Sequence, residues 1–218
     1  MKKQILMVAA VALALGGCSK TETTGAAQGG VIGFAGSGID NITKAGDLAT
    51  SDNSFNKFYV YGGYQPTVGN AVTSFDKVEV SHSGDKWTYS PVRYWINGTW
   101  KFEAYSTSAE ADANVSEASW SYTGGLKFTV NSDNSHQGDL VYGAPTSNNI
   151  SVADATQPQS PVSLKFKHLL SKIQFKFTLD NSVSAYTVKL SDFKVYGMFT
   201  NGNFANATLS VGTTKAEE

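Results

Sequence analysis

Apolar and polar residues alternate in several short stretches of this chain, and this period of two restricts its fold more than any other feature. A strand with that pattern has one buried and one solvated face. The intervening polar residues, Glu103 among them, are expected to face solvent. The positions expected to point inward are Val78 and Val80; Trp100, Phe102 and Ala104; Leu126, Phe128 and Val130; Val162, Leu164 and Phe166; Ile173, Phe175, Phe177 and Leu179.

Other local signals agree with a chain of strands and turns. Residues 58–64 are almost all aromatic or glycine, which predicts a strand covered on both faces. Inward positions are even-numbered before His168 and odd-numbered after it, so a bulge or corner is expected at residues 169–171. Asn97-Gly98 predicts a hairpin turn and Gly124-Gly125 another turn. The sequence therefore predicts an all-β fold, an antiparallel β-sandwich of Greek-key type.

The N-terminus reads as an export signal. A basic start, residues 1–3, precedes an apolar run of about 11 residues, shorter than the roughly 20 that a membrane-spanning helix needs. Leu15-Gly16-Gly17-Cys18 then forms a lipobox, which predicts cleavage between Gly17 and Cys18 and attachment of lipid, such as palmitate, to Cys18. The alternative is an ordinary signal peptide that contains a cysteine. We assign residues 1–17 to the signal peptide and 18–30 to a lipidated, flexible tether.

Charge and side-chain chemistry exclude several classes of protein. The formal net charge is −1 and Arg93 is the sole arginine, so the footprint of a nucleic-acid binder is missing. His168 is expected to hydrogen-bond to backbone at a sheet corner, far from the other histidines, His82 and His136. A polar loop with oxygen ligands lacks EF-hand spacing and is interpreted as turns; it contains Asn131, Asp133, Asn134 and Asp139. We expect no metal, no cofactor and no catalytic residue.

Four tryptophans keep a second function class open. Trp87, Trp95, Trp100 and Trp120 could stack on sugars, although alternation places Trp100 in the core. A surface glycan-binding lipoprotein would present coplanar Trp and Tyr side chains to solvent. A glycan hydrolase would need two carboxylates roughly 5 to 10 Å apart, and no spacing here suggests such a pair.

Several segments, taken in order, resemble the fimbrillin-like (Mfa-like) lipoproteins of Bacteroidota, the building blocks of type V pili. They are residues 58–64 (FYVYGGY), 87–95 (WTYSPVRYW), 100–106 (WKFEAYS), 139–142 (DLVY) and 162–173 (VSLKFKHLLSKI). The resemblance implies a transthyretin-like β-sandwich, with residues 31–200 as the N-terminal domain. It also implies a structural subunit or anchor of a fimbria that supports adhesion.

The resemblance also implies how such a subunit would mature and where it would lie. Residues 31–35, Val31-Ile32-Gly33-Phe34-Ala35, correspond to the removable first strand, and residues 36–56 to a loop in which cleavage would follow Lys44, before Ala45. Arginine is usual there, so lysine also suits an uncut anchor. Partners would be other pilus subunits, by strand addition, the outer membrane, through lipid on Cys18, and host or bacterial surface ligands. Residues 201–218 are expected to begin a second domain that is truncated or absent.

Overall fold

The computed structural model describes residues 29–39, 55–83, 86–107, 115–130, 139–171, 175–178, 187, 189, 191–194 and 201–212. These residues form strands and contain no helix. The strands are β1 (Phe34–Ile39), β2 (Lys57–Gln65), β3 (Val72–Ser83), β4 (Lys86–Thr88), β5 (Gly98–Thr107), β6 (Val115–Ser121), β7 (Gly125–Val130), β8 (Leu140–Ala144), β9 (Ile150–Val152), β10 (Val162–His168), β11 (Gly202–Ala205) and β12 (Thr208–Val211). A helix able to cross a membrane is not found among the described residues.

Eight strands form one sheet, which we call the barrel sheet. Its order is β1-β10-β8-β5-β2-β3-β4, and β9 pairs with the start of β5. The first and last strands of this order, β1 and β4, lie next to each other, so the sheet is nearly closed. All pairs in it are antiparallel except β1 with β10, which are parallel. The prediction of an all-β fold is confirmed, and the prediction of purely antiparallel sheets is wrong at this pair.

The other four strands form the small sheet, antiparallel in the order β12-β11-β7-β6. The predicted turn at Gly124-Gly125 is confirmed between β6 and β7, where Gly125 has a φ of 67° that favours glycine. Residues 202–211 form a hairpin whose first strand pairs with β7. The assignment of residues 201–218 to a second domain stays a prediction, and this hairpin is bonded within the same sheet as β6 and β7.

Two hydrophobic cores lie on opposite faces of β2, β5 and β8. The inner core fills the barrel sheet, and its largest side chains are Phe58, Phe75, Trp95, Trp100, Phe102 and Phe166. The outer core lies between the barrel sheet and the small sheet, and its largest side chains are Tyr61, Tyr105, Phe128, Tyr142 and Phe204. The prediction that residues 58–64 form a strand covered on both faces is confirmed, because alternate residues of β2 enter alternate cores.

The alternation predicted β5, β7 and β10 well and failed beyond β10. The inward residues of those three strands are buried, and β10 ends at His168, just before the bulge or corner that was predicted at residues 169–171. The continuation is wrong where it is described, since Phe175 and Phe177 are 48% and 57% exposed and residues 175–178 are not in a strand. Ile173 and Leu179 lie outside the described residues.

Asn97-Gly98 is not a hairpin turn. Gly98 opens β5, whose partners are β2, β8 and β9 and not the preceding segment. A Cβ on Gly98 would lie 2.5 Å from the carbonyl oxygen of Gln65, and its φ is 145°. Glycine is required here because the backbone at Gly98 comes close to the end of β2. The glycine therefore marks a close backbone contact and not a turn.

Candidate functional site

Residues 29–39, which we call the closing segment, complete the barrel sheet. They lie between β10 on one side and residues 93–95 on the other. We call the space between these two neighbours, which the closing segment fills, the seam. Hydrogen bonds join the first half of the closing segment to residues 93–95: Gly29 N–H to Trp95 O (3.1 Å), Trp95 N–H to Gly30 O (3.0 Å) and Ile32 N–H to Arg93 O (2.9 Å). The segment thus satisfies backbone groups that an open edge would expose.

The closing segment changes hydrogen-bonding partner at Gly33. The carbonyl of Gly33 accepts a hydrogen bond of 2.8 Å from Val162 N–H, and from Phe34 onward the backbone pairs in parallel with β10. Before this point Val31 forms an antiparallel bridge with Tyr94. The two edges of the seam are therefore bonded in different orientations, one antiparallel and one parallel.

The closing segment buries one face in the inner core. Ile32 is fully buried and Phe34 is 6% exposed, while Val31 is 54% exposed and Ala35 also faces solvent. The rings that surround Phe34 all meet it edge to face at centroid distances of 5.7 to 6.0 Å, and they belong to Phe58, Phe75, Tyr89 and Phe102. Edge-to-face contacts stabilise aromatic pairs in addition to the stabilisation that comes from burying their surface.

Tyr89 contacts both the backbone and a side chain of the closing segment. Its hydroxyl donates a hydrogen bond of 2.7 Å to the carbonyl of Ile32 and accepts one of 3.3 Å from Arg93 N–H. Burial raises the pKa of Tyr89, so the hydroxyl keeps its proton and its ability to donate. The Arg93 side chain holds the same loop through Nε to Ser74 O (3.0 Å) and Nη1 to Pro91 O (2.8 Å).

Gly29 sits where no side chain fits. A Cβ at this position would lie 2.0 Å from the carbonyl oxygen of Ala155, well inside van der Waals contact. Ala155 is itself fixed, because its N–H donates a hydrogen bond of 2.7 Å to Asn97 Oδ1. The start of the closing segment therefore lies directly against the backbone of Ala155.

The structure revises the predicted bounds of the first strand. The regular strand runs over Phe34–Ile39 and not over residues 31–35, so it extends into the stretch predicted as a loop, residues 36–56. Gly29 and Gly30, predicted as the end of a tether, are bonded to Trp95. The predictions for Gly17, Cys18, Lys44 and Ala45 lie outside the described residues and stay predictions.

Glu103 is a second feature, and the prediction that it faces solvent is wrong. It is 7% exposed, because the small sheet covers the second face of β5. The groups that donate hydrogen bonds to its carboxylate are Trp120 Nε1 (3.0 Å), Leu126 N–H (2.8 Å) and Tyr142 Oη (2.6 Å). Burial, and then the bond to Glu103, raise the pKa of Tyr142. This carboxylate joins β6, β7 and β8 to β5.

His168 has a partner that the sequence analysis missed. Its Nδ1 lies 2.7 Å from Oδ2 of Asp139, so the prediction of a backbone partner is corrected to a carboxylate. The pair joins the end of β10 to the start of β8, and only the pairing register could have indicated it. Asn131, Asp133 and Asn134 of the candidate calcium loop lie outside the described residues. Within the described part of the chain no group of three or more His, Cys, Asp or Glu residues could hold a metal.

The tryptophans do not form the platform that glycan binding requires. Trp95 and Trp100 are buried in the inner core, as predicted for Trp100. Trp120 donates to Glu103, and Trp87 packs against Phe58 at a centroid distance of 4.8 Å. The exposed aromatic residues of the described chain are Tyr94, Phe175, Phe177 and Phe193. The rings of Phe175 and Phe177 meet Phe193 at 64° and 77°, so this cluster is not coplanar.

These features define an all-β protein whose main sheet is closed by a segment near its N-terminus. The fimbrillin-like family model matches residues 43–218, and the chain belongs to this family. The family is structural, generally non-catalytic, and consistent with a fimbrial role at the cell surface. The match begins after the closing segment. No curated protein and no solved structure matches the chain.

Proposed function

We propose that this chain is a structural subunit or anchor of a cell-surface fimbria that assembles by strand exchange and supports adhesion. The observation that carries the proposal is the closing segment, which fills the seam with two buried side chains and backbone hydrogen bonds. A strand from a neighbouring subunit could supply the same kind of contacts, as in other cases of β-strand addition. Head-to-tail joints of that kind generate filaments, because they do not close.

Release of the closing segment would begin with cleavage after Lys44. This bond lies between the end of β1 at Ile39 and the start of β2 at Lys57, so cutting there would leave β2 to β12 in one polypeptide. In the uncut state the closing segment stays covalently attached, which suits an anchor. The same proposal places Cys18 as the site of lipid attachment and the outer membrane as the location before maturation. The transthyretin-like arrangement of the family is part of this proposal.

Limited proteolysis tests the proposal. Protein lacking residues 1–18 is treated with a lysine-specific protease, alone and together with a second fimbrillin-like subunit, and analysed by mass spectrometry and native electrophoresis. We expect cleavage after Lys44 followed by a ladder of stable multimers. The matched control is Lys44→Gln, which should stay uncut at this position and monomeric. Cleavage after Lys44 without multimers in either mixture would refute the role as a stalk subunit.

Retention of lipid decides between stalk and anchor. If fimbriae purified from cells contain the chain without residues 18–44, it is a stalk subunit. If the cell-associated chain keeps acylated Cys18 in the same preparation, it is an anchor. Replacing Cys18 with Ser should release the protein from the membrane fraction, and the absence of any release would contradict lipidation at Cys18.

A further inference from the structure

We propose that the seam is selective for the sequence of the strand that fills it. Its partner is then a strand of another subunit with the pattern glycine-x-x-aliphatic-x-aromatic. This inference rests on the proposed function and specifies its partner. The closing segment shows the pattern at Gly29, Ile32 and Phe34, and each of these positions is restricted by a different kind of contact.

The glycine position is restricted by backbone. Because a Cβ at Gly29 would lie 2.0 Å from Ala155 O, and because Asn97 holds Ala155, the contact cannot relax by a rotamer change. By contrast, a Cβ at Gly30 would meet nothing within 4 Å, so the next position accepts any residue. Of these two positions, the seam therefore excludes a side chain at the first and accepts one at the second.

The aliphatic and aromatic positions are restricted by buried volume. Ile32 is fully buried, and its own backbone carbonyl accepts the hydrogen bond from Tyr89. Phe34 fills a pocket whose walls are rings, which favours an aromatic side chain over an aliphatic one of similar size. Before and after this stretch, Val31 and Ala35 face solvent and carry little selectivity.

The direction of the partner strand is fixed as well. A strand that entered in reverse would meet residues 93–95 in parallel and β10 in antiparallel orientation, opposite to the observed bonding. It would also place its glycine away from Ala155. The seam thus selects a strand that reaches residues 93–95 first and β10 second.

The closing segment is the one place in residues 1–218 where this pattern occurs. If cleavage after Lys44 releases the closing segment, residues 45–218 do not contain it. The strand must then come from another subunit that carries the same pattern.

Peptide exchange tests the selectivity on the whole chain from residue 19. A recognition sequence for a sequence-specific protease is placed between Asn41 and Gly46, so that the closing segment is cut but stays in the seam. Circular dichroism confirms that the cut protein remains folded. Labelled peptides of residues 29–39 are then added, and the bound fraction is measured by fluorescence anisotropy. The series contains the natural sequence, Phe34→Ala, Gly29→Val, Val31→Ala and the reversed sequence.

We expect the Phe34→Ala peptide to bind about a hundredfold more weakly than the natural one. The Gly29→Val peptide should lose at least about tenfold, and the exposed Val31→Ala control should stay within about twofold. The reversed peptide should not bind. In protein with Tyr89→Phe, every peptide that binds the natural protein should bind about fivefold more weakly, because one hydrogen bond to the strand is lost.

The outcomes separate the two proposals. If the natural peptide does not enter the cut protein at all, strand exchange at this seam is refuted and the proposed function fails with it. If the natural, Phe34→Ala, Gly29→Val and reversed peptides all bind equally, exchange stands and the selectivity is refuted. The graded series described above supports both.

Discussion

Replacing Glu103 with Ala should be among the most destabilising single changes in this protein. The substitution removes the acceptor for Trp120 Nε1, Leu126 N–H and Tyr142 Oη, which lie 2.6 to 3.0 Å from the carboxylate oxygens. A hydrogen bond to a charged group contributes about 1.5–3 kcal/mol net. The three bonds are not additive, and the buried carboxylate itself is costly to desolvate. We therefore expect the free energy of unfolding to fall by about 3–5 kcal/mol.

Glu103→Gln separates the geometry of this site from its charge. The amide oxygen can still accept from Trp120 and Leu126, and the amide nitrogen can donate to Tyr142 Oη once that hydroxyl rotates. All of the partners then stay bonded and only the assistance of the charge is lost. The expected loss of unfolding free energy is about 1–2 kcal/mol, well below that of Glu103→Ala.

Urea unfolding followed by tryptophan fluorescence measures both variants. The matched control is Glu79→Ala, because Glu79 is exposed and accepts a single hydrogen bond, from Ser81 Oγ at 3.0 Å. This control should stay within about 0.5 kcal/mol of the natural protein. If Glu103→Ala costs less than about 1 kcal/mol, or if Gln costs as much as Ala, the carboxylate does not join the two sheets as described.

Three further predictions concern other parts of the molecule. Phe34→Ala in the uncut chain should lower the free energy of unfolding by about 3–5 kcal/mol, whereas exposed Val31→Ala should change it little; equal effects in urea titrations would contradict the aromatic pocket. Gly143→Ala would place a Cβ 2.5 Å from Cε1 of Phe166 and should cost about 1–3 kcal/mol, with Gly30→Ala, which meets nothing within 4 Å, as the neutral comparison in thermal unfolding. The pKa of Tyr142 is raised above its ordinary value of 10.0 in the folded state. Above pH 10 the folded protein therefore keeps a proton that the unfolded chain loses. The stability that this group contributes is complete below pH 10 and declines above it. Tyr142→Phe should therefore flatten the decline of the urea midpoint between about pH 9 and 11, and an unchanged slope would show that Tyr142 does not carry it.

The sequence predicted those parts of the fold that depend on local pattern. Val162, Leu164 and Phe166 alternate with polar residues that face solvent, so one face of β10 could be recognised without any knowledge of its partners. The same reasoning placed Glu103 outward, because the alternating sequence pattern is the same whether water or a second sheet covers the polar face of the strand. Only the position of β6 and β7 reveals that Glu103 is buried.

The first strand at residues 31–35 was an implication of the family resemblance, and its geometry could not be predicted. Ile32 and Phe34 are buried, and the regular strand begins only at Phe34. The closing segment pairs with β10, more than a hundred residues away in sequence, and with residues 93–95, about sixty residues away. Local sequence carries no signal for such contacts. The roles of Tyr89 and Ala155 follow from that pairing, so they could not be anticipated.

The two cores divide the molecule into a part that the proposed strand exchange would affect and a part that it would leave in place. Ile32 and Phe34 belong to the inner core, while the outer core is built from β2, β5 and β8 together with the small sheet. The packing on the outer face of these three strands therefore does not depend on Ile32 or Phe34. Under the proposed strand exchange, the outer core would hold β2, β5 and β8 in place while the seam is empty, so one strand could leave before the next one binds.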